Sequence, residues 1–172
     1  MPGEPVVTKP PVLIPPSVMD TSVLRQIDLF RNLDAVQLAH LASIAEEHKL
    51  PKGKILFKEG DKAEHFFVIC EGKIRISKVV PGIGEEAFAI LGPGSYFGEM
   101  ELIDDSTPRA AQATAHETCV MQAFKYVDIH TLLRADGELA LALLWSIVHT
   151  LSDRLRATND KITAMFALAA FK

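Results

Sequence analysis

A small, mainly β domain held between helices is the fold this sequence predicts, and three observations carry the prediction. From about Leu50 to Phe124 the apolar residues fall in short runs split by turn residues. On either side of that stretch they recur at helical spacing. Ahead of both, residues 1–17 hold six of the ten prolines. Short runs bounded by turn signals are the pattern of an antiparallel barrel or sandwich, whereas recurrence at steps of three and four marks one face of a helix.

The elements follow in chain order. The proline-rich segment 1–17 favours extended, solvated backbone and is expected to be a disordered tail, leaving 18–172 as one domain. Asp34-Ala-Val-Gln37 has the form of a capping box. Val36, Leu38, Leu41, Ile44 and Ala45 then recur at helical spacing, so an N-terminal helix is expected to end before Pro51. Strands are expected at Ile55–Phe57, Phe66–Ile69, Ile74–Val80 and Ala87–Leu91. The breaks between them fall at Lys58-Glu-Gly-Asp61, Glu71-Gly72, Pro81-Gly-Ile-Gly84 and Gly92-Pro-Gly94. Beyond Lys125 helical spacing returns, pauses at Ala135-Asp-Gly137 and continues over about 137–171.

That last helix carries information about assembly. Leu141, Leu144, Val148, Leu151, Leu155, Thr158, Ile162, Met165 and Ala169 follow one another at alternating steps of three and four, the spacing of a coiled-coil seam. A second stripe, Leu139, Leu143 and Ile147 with Trp145 nearby, is expected to cover the β core. The first is then left for a second copy of the chain, so a homodimer through the C-terminal helix is expected. Over a shorter run, one helix lying on its own barrel would produce the same spacing.

Composition narrows the function classes. The chain has 172 residues, 48% hydrophobic and 23% charged, as a single soluble globular domain would. A net charge of -4 offers no electrostatic footprint for a phosphate backbone, so nucleic acid is not an expected partner. Cys70 and Cys119 stand in no ligand or disulfide spacing, which fits a reducing cytoplasm. The N-terminus lacks the basic start and apolar run of a secretory signal, and no stretch approaches the roughly 20 apolar residues that span a bilayer. No nucleophile elbow or H-E-x-x-H is present, and His116-Glu-Thr-Cys119 is too sparse for a metal site; neither catalysis nor a cofactor is expected.

Chemistry concentrates in Gly92-Pro-Gly-Ser-Tyr-Phe-Gly-Glu-Met-Glu-Leu-Ile-Asp-Asp-Ser-Thr-Pro-Arg-Ala-Ala111. Gly98 lets the backbone approach a ligand, and a short helix starting there would direct free N–H groups at an anion. Arg109 offers a planar fork suited to two phosphate oxygens. Glu99, acceptor-only when ionised, suits a ribose hydroxyl and is also placed to orient the arginine. On its own, a Gly-Glu followed by an Arg would read as a surface turn with an ion pair.

The segment resembles the phosphate-binding cassette of the cyclic-nucleotide-binding domain family, found in catabolite activator proteins and regulatory subunits of protein kinase A. Phe97-Gly98-Glu99 and Pro108-Arg109-Ala110-Ala111 stand at the family's spacing, and Gly60-Asp61, Phe67-Val-Ile-Cys-Glu-Gly72 and Leu91-Gly-Pro-Gly94 extend the likeness over about residues 22–171. The resemblance implies an eight-stranded, jelly-roll-like β-roll with an N-terminal helix and a long C-terminal dimerisation helix. It implies that Glu99 binds the ribose 2′-hydroxyl, Arg109 the exocyclic phosphate oxygens, and the backbone from Gly98 to Met100 the rest of the phosphate. Ile76 and Phe88 would pack on sugar and base, unless they are plain barrel core. Thr158 and Asn159 match the pair that contacts adenine from both subunits, and Ala110 stands where relatives selective for cGMP carry threonine; both lean to cAMP over cGMP. Glu101 departs from the family's alanine. Facing solvent its charge would be screened; facing the phosphate it would oppose binding.

The function this implies is a cAMP-binding sensor, without a helix-turn-helix domain, that changes conformation and signals to an unidentified protein partner. The alternatives are the sensor part of a cAMP-dependent transcription factor lacking its DNA-binding domain, and a degenerate or cGMP-binding module.

Overall fold

The computed structural model describes residues 21–102 and 107–170; the expected tail at 1–17 lies outside the described residues. A short helix α1 (Thr21–Arg25) and a 3-10 turn (Asp28–Phe30) lead into α2 (Ala35–Ile44). Eight strands follow: β1 (Ala45–Leu50), β2 (Ile55–Phe57), β3 (His65–Glu71), β4 (Ile74–Val80), β5 (Gly84–Leu91), β6 (Tyr96–Phe97), β7 (Gln112–Ala115) and β8 (Cys119–Lys125). Helices α3 (Tyr126–Ala135) and α4 (Gly137–Ala170) complete the fold. The strands form two four-stranded antiparallel sheets, ordered β1-β8-β3-β6 and β2-β7-β4-β5. The eight-stranded β-roll between helices is therefore present.

The capping box at Asp34 starts α2 as its residues dictate. The Asp34 carboxylate accepts from the backbone N–H groups of Val36 and Gln37, each at 2.8 Å, and the Gln37 side chain accepts from Asp34 N–H at 3.1 Å. The helix stops at Ile44, earlier than its spacing indicated. Ala45 to Leu50, expected as helix, is strand β1, paired residue for residue with β8. Nothing in Ala-Glu-Glu-His-Lys-Leu favours a strand by propensity; pairing with the edge of β8 decides it, while its charged residues stay exposed.

Strand β3 explains why Phe66-Phe-Val-Ile69 reads as an unbroken apolar run. Alternate side chains of a strand point to opposite faces. Phe66 and Val68 join the core shared with α1, α2, α3 and α4, whereas Phe67 and Ile69 enter the core between the sheets. A strand buried on both faces has no polar alternation. On the helical side the Phe66 and Phe124 rings stack at 4.7 Å.

Helix α4 buries Leu139, Leu143 and Ile147 in that helical core, where the strand residues Phe66, Val68 and Phe124 also pack, so the stripe expected to cover the β core meets it from the helical side. Each such side chain contributes about 1.5–3 kcal/mol when fully buried. Trp145, expected beside them, is instead 62% exposed: it lies two positions from both Leu143 and Ile147, roughly 200° around the helix from each. Most of the seam is exposed too, at Leu141, Leu144, Val148, Leu155, Ile162 and Met165. Leu151 differs, being half-buried against the helical core. No described helix is long and apolar enough to cross a membrane.

Candidate functional site

A cavity of about 380 Å³ opens between the β-roll and the middle of α4. Its apolar wall comes from Phe57, Ile76, Phe88 and Leu91, and its polar wall from Glu99, Glu101, Arg154 and Lys161. Ile76, Phe88, Gly98, Glu99, Met100, Ala110 and Thr158, seven of the nine residues read from the sequence as ligand-binding, line it together. The two exceptions are Asn159, on an exposed part of α4, and Arg109, buried behind the wall.

The cassette is shaped by local constraints. Gly98 has φ +78°, and a Cβ there would lie 2.6 Å from Arg109 Nη1 and 3.2 Å from the His65 carbonyl oxygen, so a side chain is excluded on both counts. The short 3-10 turn Met100–Leu102 begins just after Glu99. Arg109 is fixed through its backbone: its N–H donates to the Asp61 carbonyl and its own carbonyl accepts from Gly60 N–H, both at 2.9 Å. The Gly60-Asp61 turn thus anchors the arginine, although the two lie far apart along the chain.

The guanidinium of Arg109 is 4% exposed and stacks on the Phe57 ring at 4.1 Å. Nη2 donates to the His65 carbonyl at 2.5 Å, and Nη1 donates to the Tyr126 hydroxyl at 3.0 Å and to Glu101 Oε2 at 3.2 Å. The Tyr126 hydroxyl in turn donates to the Gly98 carbonyl at 2.6 Å. Burial pushes its pKa up to about 12, so it stays protonated and able to donate near neutral pH.

The carboxylates divide differently from the sequence reading. Glu99 was expected to orient Arg109; it pairs instead with Arg154 of α4, which also donates to the Tyr96 carbonyl at 3.0 Å. Arg109 is paired with Glu101, and both are buried. Burial raises the pKa of Glu99 above the usual carboxylate value, with the Arg154 charge opposing the shift. Arg154, Lys161, Tyr126 and Phe57 were not identified from the sequence. Arg154 and Lys161 sit one helical turn either side of Thr158, so that spacing along α4 was the signal available.

The family model for the cyclic nucleotide-binding domain matches residues 47–136, more than half of this chain, and the chain belongs to that family. It is 33% identical over 106 residues to the cyclic AMP receptor protein of Thermus thermophilus, covering 62% of this chain and 49% of that relative. The N-terminal domain of a transcriptional regulator from Streptomyces coelicolor matches with TM-score 0.67 and 36% identity, covering 80% of this chain and 95% of that one. A cyclic nucleotide-binding domain from Methylobacillus flagellatus matches with TM-score 0.73 and 25% identity, covering 83% and 79%. The chain spans about half the length of the Thermus relative.

Proposed function

We propose that this chain is a cAMP sensor that binds one nucleotide in the cavity between the β-roll and α4, acts as a homodimer and reports occupancy to a protein partner. The carrying observation is that the cavity combines apolar walls, the Glu99 carboxylate and the cationic side chains of Arg154 and Lys161, with Arg109 directly behind. A cyclic nucleotide presents matching chemistry: a flat base, a ribose hydroxyl and one phosphodiester charge. A cavity of about 380 Å³ falls in the range of pockets that enclose small ligands. Nothing in this arrangement calls for a nucleophile or a general base, so binding rather than catalysis is proposed.

Preference for cAMP over cGMP rests on Ala110 and Thr158, both at the cavity wall, and is supported by the name of the Thermus relative. Dimerisation is supported by the exposed leucine, isoleucine and methionine side chains along α4. In that arrangement Asn159 serves the nucleotide of the opposite subunit, which would account for its place outside its own cavity. A second reading, the sensor part of a cAMP-dependent transcription factor, is favoured by the 95% coverage of the Streptomyces regulator's N-terminal domain. A reading frame continuing past Lys172 into a helix-turn-helix would decide for it.

Calorimetric titration with cAMP and with cGMP tests the reading. The expected result is one site per chain with cAMP bound more tightly. Tighter cGMP binding reverses the selectivity, and silence with both nucleotides removes the function.

A further inference from the structure

The site holds an anion of its own. Glu101 lines the cavity and Arg109 does not, yet the two side chains are bonded at 3.2 Å and are about 5% exposed. Arg109 Nε is buried with no hydrogen-bond partner, so the guanidinium has donor capacity that the protein leaves unused. Its other partners, the His65 carbonyl of β3 and the Tyr126 hydroxyl at the start of α3, belong to long elements. Glu101 sits in a three-residue 3-10 turn closed by the Leu102 N–H to Glu99 carbonyl bond at 3.2 Å. Of the guanidinium's hydrogen-bond partners, it is the one on the shortest element.

We infer that Glu101 is an internal competitor for the anion site: its carboxylate occupies the donor face of Arg109 that an incoming phosphate needs, and ligand binding is an exchange of one anion for the other. This rests on the cyclic-nucleotide reading for the identity of the incoming ligand. Two anions cannot share one buried guanidinium without strong repulsion, so the carboxylate must turn away before the phosphate bonds. The exchange sets a threshold. Each ligand must recover the lost Arg109–Glu101 pair before it gains net affinity, so anions offering two oxygens to the fork are favoured over those offering one. Glu101 is thereby assigned as a determinant of affinity and anion selectivity.

The test compares wild type, E101A and E101Q. Each chain is titrated with cAMP by calorimetry and, separately, with inorganic phosphate by thermal shift; circular dichroism confirms folding. E101A is expected to bind cAMP more tightly than wild type by on the order of 10- to 100-fold, the equivalent of one charge-assisted hydrogen bond. E101Q is expected to fall between, because the amide keeps an acceptor but loses the charge, and phosphate binding should strengthen in the same order. If E101A does not fold, E101Q carries the comparison. Equal or weaker binding of both ligands by the folded variants overturns the exchange and, where cAMP still binds, leaves the nucleotide reading standing. Stronger phosphate binding in the variants with no cAMP binding by any chain supports the exchange and overturns that reading. No binding of either ligand by any chain overturns both.

Discussion

An arginine held between an aromatic ring and a carboxylate at 4% exposure leaves little room for substitution. Arg109→Ala is expected to lower cAMP affinity on the order of 100-fold or more, since two charge-assisted contacts to phosphate disappear. The structure adds a second consequence, for stability. Removing Arg109 strands Glu101 as a buried charge, and breaking such a pair costs about 3–5 kcal/mol. Calorimetry beside thermal melts separates the two effects: the single mutant should melt well below wild type, and adding E101A should recover part of the loss without restoring binding. Wild-type affinity in Arg109→Ala would take this residue out of the site. Gly98, Glu99 and Arg109 could be grouped in advance because they fall within one short stretch of sequence, and the structure brings them to one place. Their partners were not. Arg154 lies 55 residues beyond Glu99 on another element, and no local pattern tells which of two nearby carboxylates meets which cation.

Helix α4 is attached along one face. Leu139, Leu143 and Ile147 hold it to the helical core, and further along it is fastened to the cassette by Arg154 to Glu99, Arg154 to the Tyr96 carbonyl and Tyr96 hydroxyl to Thr150 at 2.5 Å. The exposed seam is best probed where a substitution disturbs neither set. Leu151 packs partly on the core, so an aspartate there would damage folding as well as assembly. Leu155, 61% exposed, is the cleaner position. Leu155→Asp is expected to yield a folded monomer by light scattering and to weaken cAMP binding about 3- to 10-fold, the worth of about one neutral hydrogen bond from the partner's helix. A dimeric mutant would refute the seam, and a monomer of unchanged affinity would confine the adenine contacts to one subunit. Elements with strong patterns, β3 through its double burial and α4 through its length, were readable in advance. Strand β1 was not, because its six residues become a strand only against β8, and β6 has two residues, too few to show any period.

For the domain taken together, occupancy should appear as stability. At a cAMP concentration near 100 times its dissociation constant, linkage predicts a gain of about 2.7 kcal/mol, or roughly 5–10 °C in Tm for a chain of this length. The shift with cGMP at equal concentration should be smaller; an equal or larger one would contradict the assignment of Ala110 and Thr158. The attachment of α4 at Arg154 has a mechanical side. An α-helix rises about 1.5 Å per residue, so the 16 residues that follow Arg154, up to Ala170, form an arm about 24 Å long. With Arg154 as the fulcrum, a tilt of about 10° moves the far tip by about 4 Å, nearly the length of one helical turn. On the proposed reading, a ribose hydroxyl that drew the Glu99 carboxylate away from Arg154 would release the helix at this fulcrum, and the resulting displacement, small beside the cavity, would be largest at the tip of the arm.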